Sequence, residues 1–262
     1  MTAHTDRPPA IEVRDLTVAY RSLIALQSAS LIVPWGQVYG LIGTNGSGKS
    51  TLFKAIMGML RPRSGSICID GGSAATARRR SVISYVPQSE DVDWSFPLSV
   101  RDVVTMGRYG AMNWLRIPRR RDRTLVDKAL AQVGMAEFAD RQIGQLSGGQ
   151  RKRVFLARAL AQQASIILLD EPFTGVDKNS EATISALLRD LAREGNTVLV
   201  STHDLNSLPQ LCDAAALINR TVLLEGTPAD VLEPENLALA FGSAPAPLAR
   251  PQKPSLSVVG LP

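Results

Sequence analysis

Residues 43–51 read GTNGSGKST, and their spacing suits the binding of a phosphate chain. Gly43, Gly46 and Gly48 let the backbone wrap closely, so that its N–H groups turn inward toward phosphate oxygens. The positive end of the helix expected to follow favours an anion at the same place. Lys49 can reach the outer phosphates and Ser50 can ligate Mg²⁺. The whole loop (Gly43, Thr44, Asn45, Gly46, Ser47, Gly48, Lys49, Ser50 and Thr51) is therefore the candidate nucleotide site. Its context supports the reading, because it follows the apolar strand pattern VYGLIG and opens the helical pattern GKSTLFKAIMGML.

A second group of chemical residues lies at the ends of other apolar runs. SIILLDEP is nearly all apolar until Asp170 and Glu171, where unpaired carboxylates are costly. A metal and a phosphate-bound water supply the missing partners. Asp170 is placed to hold Mg²⁺ through its water shell, and Glu171 to orient the attacking water. His203 follows VLVST at a neighbouring strand mouth, where a neutral imidazole can donate one hydrogen bond to the terminal phosphate. Gln88 closes YVPQ and can reach Mg²⁺ or the water. Tyr20, ending IEVRDLTVAY, suits either stacking on an adenine ring or plain packing.

One motif duplicates part of this chemistry. Leu146, Ser147, Gly148, Gly149 and Gln150 form a second glycine turn at a helix start, followed by the basic run RKR. It favours an anion but has no lysine, so it holds a nucleotide weakly by itself. A head-to-tail pair of chains explains it: the complete loop of each copy faces the incomplete turn of the other. Two ATP molecules are then shared across the interface, and hydrolysis opens it.

Elements that can position these groups follow from periodicity. Strand patterns alternate with helical ones, which predicts an α/β fold with a mostly parallel sheet covered by helices. An antiparallel edge is expected from the first strands and from the hairpin AAALIN–TVLLEG. Ser99-Val100-Arg101-Asp102 is a capping-box pattern, and Leu125, Val126, Ala129, Leu130 and Val133 repeat at helical spacing up to Gly134. No strand pattern intervenes there, so 89–163 reads as a helical insertion. The core is expected at 10–88 and 164–242, ending in one helical stretch, PADVLEPENLALAF. Residues 1–9 read as a loose tail and the Pro/Ala-rich 243–262 as disordered.

Composition bounds the remaining classes. The chain has 262 residues, 45% hydrophobic and 20% charged, enough for one large core. No run approaches the roughly 20 apolar residues of a membrane span, and the first residues carry no secretory pattern. Two distant cysteines, Cys68 and Cys212, fit a reducing cytosol and no metal spacing. The net charge of +5 is uneven: residues 1–130 hold 18 Lys/Arg against 10 Asp/Glu, and the rest 11 against 14. Arg78, Arg79 and Arg80 form one cluster, and Arg116, Arg119, Arg120, Arg121 and Arg123 another. They read either as a solvated surface or as a contact for lipid headgroups or a membrane-bound partner. Nucleic acid is not expected, since few aromatics interleave with them.

Together these motifs resemble the nucleotide-binding subunit of an ABC transporter, over about residues 10–242. The resemblance implies a P-loop, RecA-like core, ATP and Mg²⁺ as ligands, and ATP hydrolysis. It makes 43–50 the Walker A loop, with Thr44 where proline is common. It makes Tyr20 the adenine-stacking aromatic, Gln88 the Q-loop glutamine and LSGGQ the family signature. IILLDE becomes Walker B with its catalytic glutamate, Asp177 the end of the D-loop that couples the dimer, and His203 the switch histidine. DVDWSFPLSVRDVVTMGRYG, LRIPRRRD and LLDEPFTGVD are more narrowly similar to bacterial manganese, iron and zinc importers. That likeness implies a peripheral subunit on the cytoplasmic side of the inner membrane. Its partners are membrane permease subunits and, indirectly, an extracytoplasmic metal-binding protein. A groove for the permease is expected along Ser89–Tyr109, with Trp94 and Phe96. Another ABC importer, a soluble ABC ATPase and a non-enzymatic nucleotide sensor are the alternatives.

Overall fold

The computed structural model describes residues 7–88 and 96–242. Trp94 with the rest of 89–95, the first residues of the expected N-terminal tail and the tail 243–262 lie outside the described residues.

Two sheets organise the chain. Strands β1 (Ile11–Tyr20) and β2 (Leu23–Val33) pair antiparallel, and β4 (Ser64–Ile69) joins the other side of β1. The second sheet contains β3 (Val38–Ile42), β5 (Ile83–Val86), β6 (Ile166–Asp170), β7 (Thr197–Thr202), β8 (Ala214–Asn219) and β9 (Thr221–Gly226). Its order is β5-β6-β7-β3-β8-β9, parallel throughout except for the antiparallel β8–β9 edge. The fold is thus α/β with an antiparallel edge, as the alternation of patterns predicts.

The central strands are apolar because both of their faces are covered. Ile167, Leu169, Val198 and Val200 enter one buried cluster. Their strand neighbours Ile166, Leu168 and Leu199 enter the other, with β1, β2 and helix α1 (Lys49–Ile56). The first cluster also takes in α3 (Val100–Met106), α4 (Arg120–Gln132) and α5 (Gly148–Ala161), all between β5 and β6 in sequence. The apolar interior therefore runs without a break from these helices onto the sheet. Helix α6 (Lys178–Arg193) covers the same face through Ile184 and Leu188.

Several boundaries differ from the periodicity. Helix α2 (Ala74–Arg79), capped by Ser73, carries only one buried residue, so no apolar stripe announces it. The short α7 (Leu208–Leu211) is a single turn, too short to show a helical period. The expected terminal stretch divides into α8 (Pro228–Leu232) and α9 (Pro234–Phe241). Pro234 forces this break, since the residue before a proline avoids helical backbone, and Glu233 has φ −57° and ψ 133°. Among the described residues no helix is long and apolar enough to cross a membrane.

Candidate functional site

The parallel strands deliver their chemical residues to one edge. β3 leads into the glycine loop, β6 ends at Asp170, and β7 ends just before His203. Registers pair Asp170 with Ser201 and Ile42 with Thr202, so these three strand ends stand side by side.

The loop is shaped by close packing. A Cβ on Gly43 would fall 2.3 Å from the Ile218 carbonyl oxygen, and Gly48, at φ +104°, lies against Leu26. Arg220, in the β8–β9 turn, donates its N–H to the Ser47 carbonyl at 2.8 Å and accepts from the Gln27 N–H at 2.7 Å. The loop is thereby held between the two sheets. Helix α1 starts at Gly48 with no capping side chain and no acid in its first turn, so its leading N–H groups are left for another acceptor. The Ser47 hydroxyl is buried and without a hydrogen-bond partner among the described residues. A cradle of free donors around glycines fits a phosphate chain.

Lys49 is 5% exposed, and its Nζ donates to the carbonyls of Gly43 at 2.7 Å and Thr44 at 3.0 Å. Burial pushes its pKa down, against the opposing pull of Glu171 and Asp170. The Nζ lies 3.9 Å from Glu171 Oε1.

Glu171 is the hub. Its backbone is left-handed at φ +49°, which turns the chain out of β6 at the strand mouth. Its N–H donates to Ser201 Oγ at 3.0 Å, and Ser201 Oγ donates in turn to Asp170 Oδ1 at 2.6 Å. On the carboxylate, Oε2 accepts from Gln88 Nε2 at 2.7 Å and from Thr174 Oγ1 at 3.3 Å, with His203 Nδ1 3.4 Å away. Lys152 on α5 donates to the carbonyls of Glu171 and Thr174. The structure thus brings Lys49, Gln88, Asp170, Glu171 and His203 into one cluster.

Other candidates stand apart. Tyr20 is 42% exposed at the outer end of β1, in register with Leu23. Ser147 caps α5: its Oγ accepts from the Gln150 N–H at 3.3 Å, while Gln150 Oε1 accepts from the Ser147 N–H at 2.9 Å. The Ser147 hydroxyl keeps its own proton for an external acceptor. Among the described residues no hydrogen bond joins 146–150 to the loop at 43–51. Gly149 lies near Gly175 and Val176, and Asp177 caps α6 by accepting from the Ser180 N–H at 2.9 Å.

Three contributors have no motif. Ser201, Lys152 and Arg220 hold the cluster or the loop, yet only the basic run after LSGGQ hints at any of them. For a metal, Asp170 is a buried carboxylate at the end of β6, and Ser50 is a hydroxyl next to Lys49 in the chain. Among the described residues no group of three His, Cys, Asp or Glu could hold an ion by itself. A carboxylate and a hydroxyl are oxygen donors of the kind Mg²⁺ takes alongside nucleotide phosphates.

The family model described as ABC transporter matches residues 26–174. The manganese transport system ATP-binding protein MntA of Synechocystis sp. is 52% identical over 236 residues, covering 90% of this chain and 91% of that protein. The chelated iron transport system membrane protein YfeB of Yersinia pestis is 51% identical over 235 residues, 89% of this chain and 79% of that protein. A solved dimeric bacterial ABC transporter cassette matches with a TM-score of 0.73 at 28% identity, over 83% of this chain and 98% of that one.

Proposed function

The chain belongs to the ABC transporter family of ATP-binding proteins, and from that premise we propose that it is the ATP-hydrolysing subunit of a divalent-metal importer. The observation that carries the enzymatic reading is the Glu171 carboxylate, 6% exposed and in reach of Lys49, Gln88 and His203. The names of the two relatives support the cargo, manganese or iron.

The residues divide the work as follows. The backbone donors of Gly43–Thr51 and Lys49 hold the phosphates, and Tyr20 stacks on the base. Ser50, Asp170 and Gln88 would hold Mg²⁺, which would neutralise charge on the phosphate oxygens. Glu171 accepts a hydrogen bond from the attacking water and holds it in line; the water oxygen bonds to the γ-phosphorus as the bond to the bridging oxygen breaks, giving ADP and phosphate. His203 donates to the terminal phosphate. The Leu146–Gln150 turn completes the site of a second copy, Asp177 couples the two, and the dimeric cassette among the solved relatives supports that pairing. Core and helical insert, at 10–88 with 164–242 and at 89–163, are proposed to act as separate units.

Permease subunits are the proposed second partner, with an extracytoplasmic metal-binding protein beyond them, which places the chain at the cytoplasmic face of the membrane. A groove of about 420 Å3, lined by Met57, Met59, Tyr85 and Met106, lies between the α1–β5 region and α3. Flexible methionines suit a partner helix, and Phe96 is 59% exposed.

Glu171→Gln tests the chemistry. ATP turnover is expected to fall by about 100-fold or more, with ATP affinity retained and a stable dimer trapped on sizing columns. Normal hydrolysis by this variant would remove Glu171 from its role. Uptake of manganese and iron in a strain lacking the chain tests the cargo.

A further inference from the structure

The turn after α2, which follows the first arginine cluster, meets the segment leading out of α3 at one cleft, the methionine-lined groove described above. A Cβ on Gly110 would come 3.2 Å from Ser81 Oγ, so the end of the α2 turn touches the segment leading out of α3. Arg78, Ser81, Gly107 and Gly110 line that cleft together. Beyond Gly110 the chain forms an exposed tip, where Trp114 is 88%, Leu115 52% and Ile117 58% exposed. Arg116, at φ +52°, lies over the Tyr109 ring at 5.1 Å, and α4 then opens with exposed Arg120, Arg121 and Arg123.

The charge around this tip is one-sided. No acidic residue occurs between Asp70 and Glu90, or between Asp102 and Asp122. Asp122 is buried and taken by Arg108 at 3.1 Å, inside the helical insert. Among the described residues no side-chain partner meets Arg79, Arg80, Arg120, Arg121 or Arg123. Three large apolar side chains in four positions are costly in water, yet an indole beside guanidinium groups is at home where hydrocarbon meets headgroups. Stacking along a nucleic acid strand needs successive aromatics, and the tip offers one.

We propose that this face binds anionic phospholipid directly, with Trp114 and Leu115 entering the headgroup layer and the arginines pairing with lipid phosphates. The proposal stands apart from the metal-import reading, because a lipid vesicle contains no permease.

Co-sedimentation of the full chain tests it, with vesicles of phosphatidylcholine alone and of phosphatidylcholine mixed with phosphatidylglycerol. Binding is expected only to the mixed vesicles, weakening as salt rises. Each arginine lost near the surface weakens binding roughly fivefold, so Arg120→Gln/Arg121→Gln/Arg123→Gln is expected to lose on the order of 100-fold. Trp114→Ala/Leu115→Ala is expected to lose roughly tenfold while keeping the salt dependence. ATP hydrolysis in solution, unchanged in both variants, certifies their folding. No binding to either vesicle, equal binding to both, or unaltered binding by the triple variant overturns the proposal.

Discussion

Ser201 shows how much a residue without a motif can carry. One buried hydroxyl accepts from the Glu171 N–H and donates to Asp170, so it fixes the relation between the two acids. Ser201→Ala leaves a buried Asp170 oxygen without that partner, at about 1–3 kcal/mol, while the Glu171 N–H keeps its bond to the Ser201 carbonyl at 3.2 Å. A lower melting temperature and a reduced kcat are expected together; a loss of stability with kcat intact would make Ser201 merely structural. Lys49 is legible from the spacing of its glycine loop, and Gln88, Asp170, Glu171 and His203 because each stands at or just past the end of an apolar run, where a polar group needs a reason. Ser201 lies within such a run and looks like strand filler. Lys152 was hidden among RKR, where only helical phase separates the three residues. Arg151 donates to the Gly144 carbonyl and Arg153 to that of Val133, while Lys152 donates to the Glu171 carbonyl.

At the scale of elements, the helical insert is pinned by an ion pair rather than by a motif. Arg108 Nε meets Asp122 Oδ1 at 3.1 Å, and Arg108 Nη1 donates to the Ala161 carbonyl at 2.9 Å. The ends of α3, α4 and α5 are thereby tied in an apolar setting. Arg108→Met strands a buried carboxylate and is expected to cost roughly 3–5 kcal/mol in urea unfolding. Arg108→Met/Asp122→Leu is expected to recover all but about 1 kcal/mol, the loss of the Asp122 cap on α4. If the double variant is no better than the single one, the stranded charge is not the cause. Helix starts with a box of polar residues were readable, as Ser99 with Asp102 shows. Helix α2, with one buried residue, was not, because periodicity reports only helices that bury a stripe.

For the whole molecule, the class of fold was in the alternation of patterns, but the strand order was not. β3, β6 and β7 are all buried on both faces, so composition cannot say which lies beside which; only the burial of the entire sheet decides. The same burial protects the interior from chemistry. The Cys212 thiol is pushed up to about 12 by burial beside Asp213, whereas Cys68 is only partly buried. Maleimide is expected to label the native chain once, at Cys68, and a second time only after unfolding; rapid double labelling would show that this interior opens readily. Two contacts span the molecule in another sense. Gln88 joins the end of β5 to Glu171, and Lys152 joins α5 to the same residue, so the helical insert and the sheet share a single acidic junction. Thermodynamic linkage then imposes a symmetry: any body that shifts the insert and alters these bonds changes nucleotide affinity by some factor, and the nucleotide must change that body's affinity by the same factor.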